Sequence, residues 1–132
     1  MSYIIIYKTN KEKGDAQNAS ILLSLVLAMD ETPVKAGKKG KGKMNTSYFW
    51  PMYGDQEEVA FTYSSSRGQQ HVLDTLKDFE GTLLSDGYSA YASYTQQKEA
   101  VTHAQCWVHT RRYFDKAKDI EPVASAWALE LI

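Results

Sequence analysis

The sequence has almost no cysteine and no long hydrophobic run. Its single cysteine, Cys106, cannot form an intramolecular disulfide, which indicates a reducing compartment and predicts a cytoplasmic protein. No apolar stretch reaches the roughly 18 residues that a membrane-spanning helix needs, so we expect no membrane partner. These two absences argue against a disulfide-stabilised secreted domain and against an integral membrane protein.

A strong excess of charge of either sign is also missing. Lysine and arginine total 15 and aspartate and glutamate total 16, so the formal net charge is −1. The chain is not a polycation, and any contact with nucleic acid must come from a local basic patch. Its 132 residues suffice for one domain, and 43% hydrophobic against 23% charged residues excludes a disordered tail or a highly charged linker.

Short apolar segments separated by turn residues dominate the N-terminal half, and they predict strands. Residues 21–29 are expected to form a buried strand that ends at Asp30, because Thr32 and Pro33 favour a turn directly afterwards. Pro51 lacks an N–H, which predicts an edge strand or a bulge at that position. The other expected elements are a strand at 3–7, a loop or frayed helix at 8–19, a mobile basic loop at 36–45, and a hairpin of strands at 48–53 and 59–63.

Helices and strands are expected to alternate in the C-terminal half. Ser66 and Gln69 fit a capping box at the start of a helix that Gly81 would end.

Tyr88, Tyr91 and Tyr94 recur at helical spacing, which favours packing against a sheet over stacking on unpaired bases. The remaining expected elements are strands at 82–85 and 101–106, a helix at 107–118, and a last helix with Pro122 in its first turn. This order predicts an α/β protein with a mixed sheet flanked by helices.

Two acids stand at the ends of predicted buried strands, Asp30 after the second predicted strand and Asp86 after the strand at 82–85. Two carboxylates around a divalent cation are stabilised as anions, and Mg²⁺ binds few carboxylates while keeping positions for water or phosphate oxygens. Such a site suits phosphoryl transfer. The alternative interpretation is that both aspartates only cap turns.

Several motifs, taken in order, resemble the catalytic region of bacterial transposases of the insertion-sequence sixty-six family. The resemblance covers residues 25–132 and leaves 1–24 unassigned. The matching motifs are Asp30-Glu31-Thr32-Pro33, Tyr48-Phe49-Trp50, Ser64-Ser65-Ser66-Arg67, Asp86-Gly87-Tyr88, and Cys106-Trp107-Val108-His109 followed by Arg111-Arg112.

This resemblance implies a ribonuclease H-like domain that cleaves DNA and transfers strands with Mg²⁺ or Mn²⁺. Asp30 matches the first catalytic acid and Asp86 the second, and both would bind the metal. The third acid, a glutamate, is expected beyond Ile132, so the resemblance predicts a domain truncated at its C-terminus. The implied partners are DNA, as transposon ends and target, and further copies of the protein.

Basic residues in two places are candidates for contact with DNA phosphates. One group is the lysine-rich segment with Lys38, Lys39, Lys41 and Lys43, and the other lies on the helix at 107–118 with His109, Arg111, Arg112 and Lys116. The alternatives are a surface loop without a partner and an ordinary solvated helix face. A non-catalytic DNA-binding remnant is therefore a second functional hypothesis.

His103, Cys106 and His109 are spaced as in part of a zinc site. The usual second pair of ligands is missing from the sequence, so a buried structural cysteine is the preferred interpretation. A small zinc-stabilised interaction module is a third functional hypothesis.

Overall fold

The computed structural model describes residues 11–39 and 42–132. The strand predicted at residues 3–7 and the candidate Lys41 lie outside this part of the chain. The elements, in chain order, are α1 (Lys11–Ile21), β1 (Val26–Met29), β2 (Thr32–Lys39), β3 (Lys43–Tyr53), β4 (Val59–Ser64), α2 (Gln69–Thr75), β5 (Gly81–Ser85), α3 (Ser89–Thr95), β6 (Val101–Gln105), α4 (Trp107–Ala117) and α5 (Pro122–Leu131).

Within residues 11–39 and 42–132, the strands form one six-stranded mixed sheet. Strand β3 pairs antiparallel with β1, β2 and β4, whereas β1, β5 and β6 are parallel neighbours. Parallel strands need crossover connections, and α2 and α3 supply them in the chain order β4, α2, β5, α3, β6. This arrangement of early antiparallel strands followed by alternating helices and strands confirms the predicted α/β class and fits a ribonuclease H-like fold.

Strands β1 and β2 follow one another along the same edge of β3. Met29 in β1 pairs with Met52, and Thr32 in β2 pairs with Phe49. The two residues between these strands, Asp30 and Glu31, therefore lie at a break in the ladder, next to the middle of the sheet. An irregular backbone segment at this point places polar side chains beside the core.

Pro51 lies opposite that break. The expectation was an edge strand or a bulge, and the edge-strand alternative is wrong because β3 is paired along both of its edges. The carbonyl of Pro51 accepts a hydrogen bond from the Asp30 N–H, at 3.3 Å. The missing N–H is tolerated here since neither β1 nor β2 continues its ladder across the break.

The core lies between one face of the sheet and helices α2 and α3. The sheet contributes large side chains that alternate inward along each strand, and Tyr91 and Tyr94 of α3 are completely buried against them. The Tyr94 hydroxyl donates to the Leu76 carbonyl at 2.6 Å, which satisfies its polar atom. The core interpretation of these two tyrosines is confirmed. The buried sheet residues are Leu27, Met29, Trp50, Met52 and Leu83.

The strand predicted at residues 21–29 is shorter than expected. Ile21 ends α1, and a turn at residues 22–24 precedes β1, with the Ser24 N–H donating to the Ile21 carbonyl. Leu23 in this turn is 85% exposed. The apolar run thus combines the buried end of a helix, an exposed turn and a strand. These elements differ in hydrophobic periodicity, so the run does not correspond to a single strand.

The lysine-rich segment is not a loop in its described part. Lys38 and Lys39 belong to β2 and Lys43 begins β3, so this segment forms a long antiparallel hairpin. Gly37 (φ +75°) lies at a register shift in β2, and Gly42 (φ +79°) precedes β3. Here the glycines provide a bulge and a turn rather than a mobile loop.

The first crossover helix begins later than the capping box predicted. The N-cap of α2 is Gly68, which has no side chain with which to cap the helix. The Ser66 N–H instead donates to Ser64 Oγ, and Arg67 points into the protein to bond Glu31. Tertiary contacts of the preceding loop therefore override the local capping signal.

Gly81 does not end α2, as expected, because the helix stops at Thr75 and Gly81 begins β5; among the described glycines it is the one that the fold constrains most tightly. Its φ is +136°, and a Cβ atom there would lie 2.6 Å from the Leu25 carbonyl oxygen, which is a backbone atom. We expect Gly81→Ala to lower the free energy of unfolding by about 2 kcal/mol, because the strain cannot be relieved by a side-chain movement. Urea denaturation followed by circular dichroism measures the change.

Gly14→Ala is the matched control, since Gly14 lies inside α1 with nothing within 4 Å of a Cβ atom. It should raise stability by about 0.5–1 kcal/mol through the lower entropy of the unfolded chain. Equal effects of the two substitutions would show that the backbone of Gly81 is not constrained.

His71 should make stability depend on pH in weak acid. Burial against Trp50 lowers the pKa of His71, and its Nε2 lies 2.8 Å from Thr62 Oγ1. Below the ordinary histidine pKa of about 6.5 the unfolded chain binds a proton that the folded chain does not, so stability falls as the pH falls. The limiting slope is about 1.4 kcal/mol per pH unit.

His71→Gln removes this titration, so its urea midpoint should change less between pH 7.5 and pH 5.5 than that of the unmodified chain. An unchanged difference between the two pH values would contradict a neutral His71 in the folded state.

Candidate metal centre

Neighbouring parallel strands bring the two predicted acids together. Ala28 in β1 pairs with Leu84 in β5, and each strand is followed directly by an acid, Asp30 after β1 and Asp86 after β5. Parallel strands end at the same edge of a sheet, so both carboxylates lie at one site. Ligand oxygens of Asp30, Glu31 and Asp86 lie within 4.8 Å of one another. We call these three residues the acidic cluster.

Local hydrogen bonds orient the two aspartates. Oδ1 of Asp30 accepts the Glu31 N–H at 2.8 Å, and Oδ1 of Asp86 accepts the Tyr88 N–H at 2.8 Å. Each carboxylate thus uses one oxygen to fix its own turn and keeps the other for a further ligand. The sequence left open whether these aspartates cap turns or bind a metal. The structure shows that both cap turns, and this leaves one oxygen of each carboxylate for a metal.

Glu31 is the buried member of the acidic cluster, with a side chain only 2% exposed. Its Oε1 accepts hydrogen bonds from Nε (2.7 Å) and Nη2 of Arg67, and its Oε2 accepts one from the Tyr91 hydroxyl at 2.8 Å. Burial raises the pKa of Glu31, and the bonds from Tyr91 and Arg67 oppose that rise. Burial and the charge of Glu31 raise the pKa of Tyr91, which keeps the phenol protonated as a donor.

His109 lies beside the acidic cluster. Its Nε2 is 3.8 Å from Oδ2 of Asp30, and its buried Nδ1 makes no hydrogen bond with the described residues. The His109 side chain is therefore only 26% exposed, whereas Arg112 and Lys116, further along the same helix, are exposed. The helix begins right after β6, and its first turn packs near the sheet edge where Asp30 lies.

The chemistry of the donor set fits a divalent cation. Three carboxylates so close together repel one another when ionised, and a single guanidinium, that of Arg67, pairs with them directly. A divalent ion would offset the remaining charge, and all-oxygen ligands suit Mg²⁺ or Mn²⁺. Asp30 and Asp86 are the members with an oxygen left for it, whereas both oxygens of Glu31 are already bonded within the protein.

The spacing of His103, Cys106 and His109 does not produce a metal site. Among the described residues, the acidic cluster is the group in which three such ligands converge. Nε2 of His103 instead lies 2.8 Å from Oγ of Ser85, whose hydroxyl donates to the Asp86 carbonyl at 3.1 Å. His103 thus supports the turn that carries Asp86.

The basic residues predicted to contact DNA differ in whether they are bonded within the protein or exposed. Nη1 of Arg111 donates to the carbonyls of Leu129 and Ile132, so this guanidinium binds the last turn of α5. Arg112 and Lys116 are exposed on α4, and Lys43 is exposed at the start of β3. Trp107, at the start of the same helix, is 65% exposed.

Sequence reasoning missed the network around Glu31. Its members are Glu31, Arg67, Tyr88 and Tyr91, and they come from three separate segments of the chain. The available signal was the position of Glu31 directly after Asp30, where a second acid beside a core strand needs a cationic or hydroxyl partner.

Comparisons with known proteins agree with these observations. A family model described as Transposase IS66 family matches residues 10–132. An uncharacterized protein, y4qI, of Sinorhizobium fredii is 32% identical over 99 residues, which cover 64% of this chain and 18% of that protein. The chain thus spans less than a fifth of the length of this relative. No solved structure matches the chain significantly.

No helix among the described residues is long and apolar enough to cross a membrane. The family match covers nearly the whole chain, including both strand-end acids and the loop that carries Arg67. This chain belongs to the IS66 family of transposases.

Proposed function

We propose that this chain forms part of the catalytic domain of a transposase that cleaves DNA and transfers its strands. The observation that supports the proposal most directly is the convergence of Asp30 and Asp86 at the ends of the paired parallel strands β1 and β5. These two aspartates would hold Mg²⁺ or Mn²⁺. A bound ion of this kind activates an attacking oxygen and stabilises the leaving oxygen of a phosphodiester.

The surrounding residues serve this site in separate ways. Glu31, held by Arg67 and Tyr91, adds negative charge next to the ion without offering a free oxygen. His109 of α4 lies beside Asp30, with its Nε2 3.8 Å from Oδ2 of that aspartate. The glutamate that the family pattern requires as a third acid is not assigned to any residue of this chain, and DNA cleavage is therefore proposed for the intact protein.

Asp30→Asn and Asp86→Asn test the metal site in the chain itself. Mg²⁺ or Mn²⁺ at ten times its dissociation constant should stabilise the unmodified protein by about 1.4 kcal/mol, or roughly 5 °C in melting temperature. Each variant should lose most of this shift. Without metal, both should be at least as stable as the unmodified chain, since one repelling charge is removed.

Asp119→Asn is the control, because Asp119 is an exposed acid on the loop between α4 and α5. It should keep the full metal-induced shift, measured by differential scanning calorimetry. A normal shift in either strand-end variant would remove that aspartate from the metal site.

The second proposal is that exposed basic residues contact the DNA backbone, which is also what a non-catalytic DNA-binding remnant would need. Arg112 and Lys116 lie on the exposed side of α4, the helix that contributes His109 to the site. Lys38, Lys39, Lys41 and Lys43 stay candidates as part of the β2–β3 segment.

We expect Arg112→Ala with Lys116→Ala to weaken binding of a 20-base-pair DNA duplex, because two phosphate contacts are lost. The slope of log K against log salt should become shallower by about 2. Fluorescence anisotropy at several salt concentrations measures it, with Lys77→Ala, an exposed lysine beyond α2, as the control. Binding without added metal would favour the remnant, and an unchanged slope would exclude this helix face.

A further inference from the structure

Arg67 is fixed more firmly than an exposed arginine normally is. Its Nε and Nη2 bond Oε1 of Glu31, its guanidinium carbon lies 4.0 Å from the centre of the Tyr88 ring, and its carbonyl accepts the Tyr88 hydroxyl. A second ring, that of Tyr91, packs edge-on against Tyr88 at 6.1 Å between centroids. The guanidinium plane is thus held on one edge and one face.

The opposite edge of the same guanidinium is available. The Arg67 side chain is 44% exposed, and Nη1 makes no hydrogen bond to any described residue. Neutralising Glu31 requires only the edge formed by Nε and Nη2. The remaining N–H groups, on Nη1 and on the far side of Nη2, form a second edge of the kind that binds carboxylates and phosphates in two-point contacts.

The charge around Arg67 indicates which ligand would bind there. Asp30, Glu31 and Asp86 would repel an approaching phosphodiester, and Arg67 is a cation that directly contacts this cluster through Glu31. A fixed cation here would give a DNA phosphate one favourable contact next to the metal-binding carboxylates. An arginine already ordered by Glu31 and Tyr88 loses little side-chain entropy on binding.

We propose that Arg67 binds a backbone phosphate of DNA beside the acidic cluster, through the guanidinium edge that Glu31 leaves open. Glu31, Tyr88 and Tyr91 are positioning residues that hold the guanidinium in the required orientation. The inference rests on the proposed function, because it assumes that the substrate of the site is a phosphodiester. It adds a phosphate-binding residue that lies outside the two aspartates and outside the basic residues of β2, β3 and α4.

The competing explanation is that Arg67 only neutralises the buried Glu31. Arg67→Gln alone cannot separate the two, since it leaves a buried carboxylate without its ion pair and destabilises the fold. The pair Glu31→Gln with Arg67→Gln removes both charges and restores a neutral site. A purely neutralising Arg67 predicts that this double variant recovers both stability and DNA binding.

The test measures binding of a 20-base-pair duplex by anisotropy, with Ca²⁺ present, at several salt concentrations. We expect Arg67→Gln and the double variant to bind at least tenfold more weakly than the unmodified chain. The salt slope should become shallower by about 1, the value for one lost phosphate contact. Arg67→Lys should keep the slope and lose part of the affinity, because it keeps the charge without the planar fork.

Lys77→Gln is the control and should bind DNA normally. If the double variant binds with the affinity and slope of the unmodified chain, Arg67 does not contact phosphate. The metal-induced rise in melting temperature, measured without DNA, separates this inference from the proposed function. Absence of that rise in the unmodified chain counts against the metal centre, whereas a normal rise with an unchanged salt slope in the Arg67 variants overturns the phosphate contact alone.

Discussion

The parallel pairing of β1 with β5 is the constraint on which the site depends. The two strands are adjacent and run in the same direction, so the residues after their last positions, Asp30 and Asp86, emerge at one edge of the sheet. Their carboxylates come from segments more than fifty residues apart in the chain. The buried sheet and the core beneath it hold the two acids together against their mutual repulsion, and this makes the pair a candidate site for a divalent cation.

The break between β1 and β2 adds the other important feature. It admits Glu31 beside the core, where an unpaired carboxylate would be too costly to keep ionised. Arg67 and Tyr91 supply three hydrogen bonds to it, and Tyr88 stacks on the guanidinium. One network therefore satisfies a buried charge, fixes the loop before α2, and places a half-exposed cation next to the aspartates.

Much of the fold followed from local patterns. Tyr91 and Tyr94 were recognised as core residues from their helical spacing, and the alternation of elements after β4 was correct. The failures occurred where local and tertiary preferences differ. The lysine-rich segment forms a hairpin because its two halves pair as strands β2 and β3. The expected capping box at Ser66 does not form, and the neighbouring Arg67 bonds Glu31 instead.

The amino-acid sequence by itself determined the chemical inventory, the strand-end positions of Asp30 and Asp86, and the motifs that identify the family. Those properties depend on residue type and on spacing along the chain, which a sequence displays directly. Only the tertiary structure decided that Glu31 and Arg67 join the site, that His109 lies beside Asp30, and that Arg111 binds the end of α5. These contacts depend on which strands pair and which helices pack together, and that is determined by burial of the whole core rather than by any local stretch of sequence.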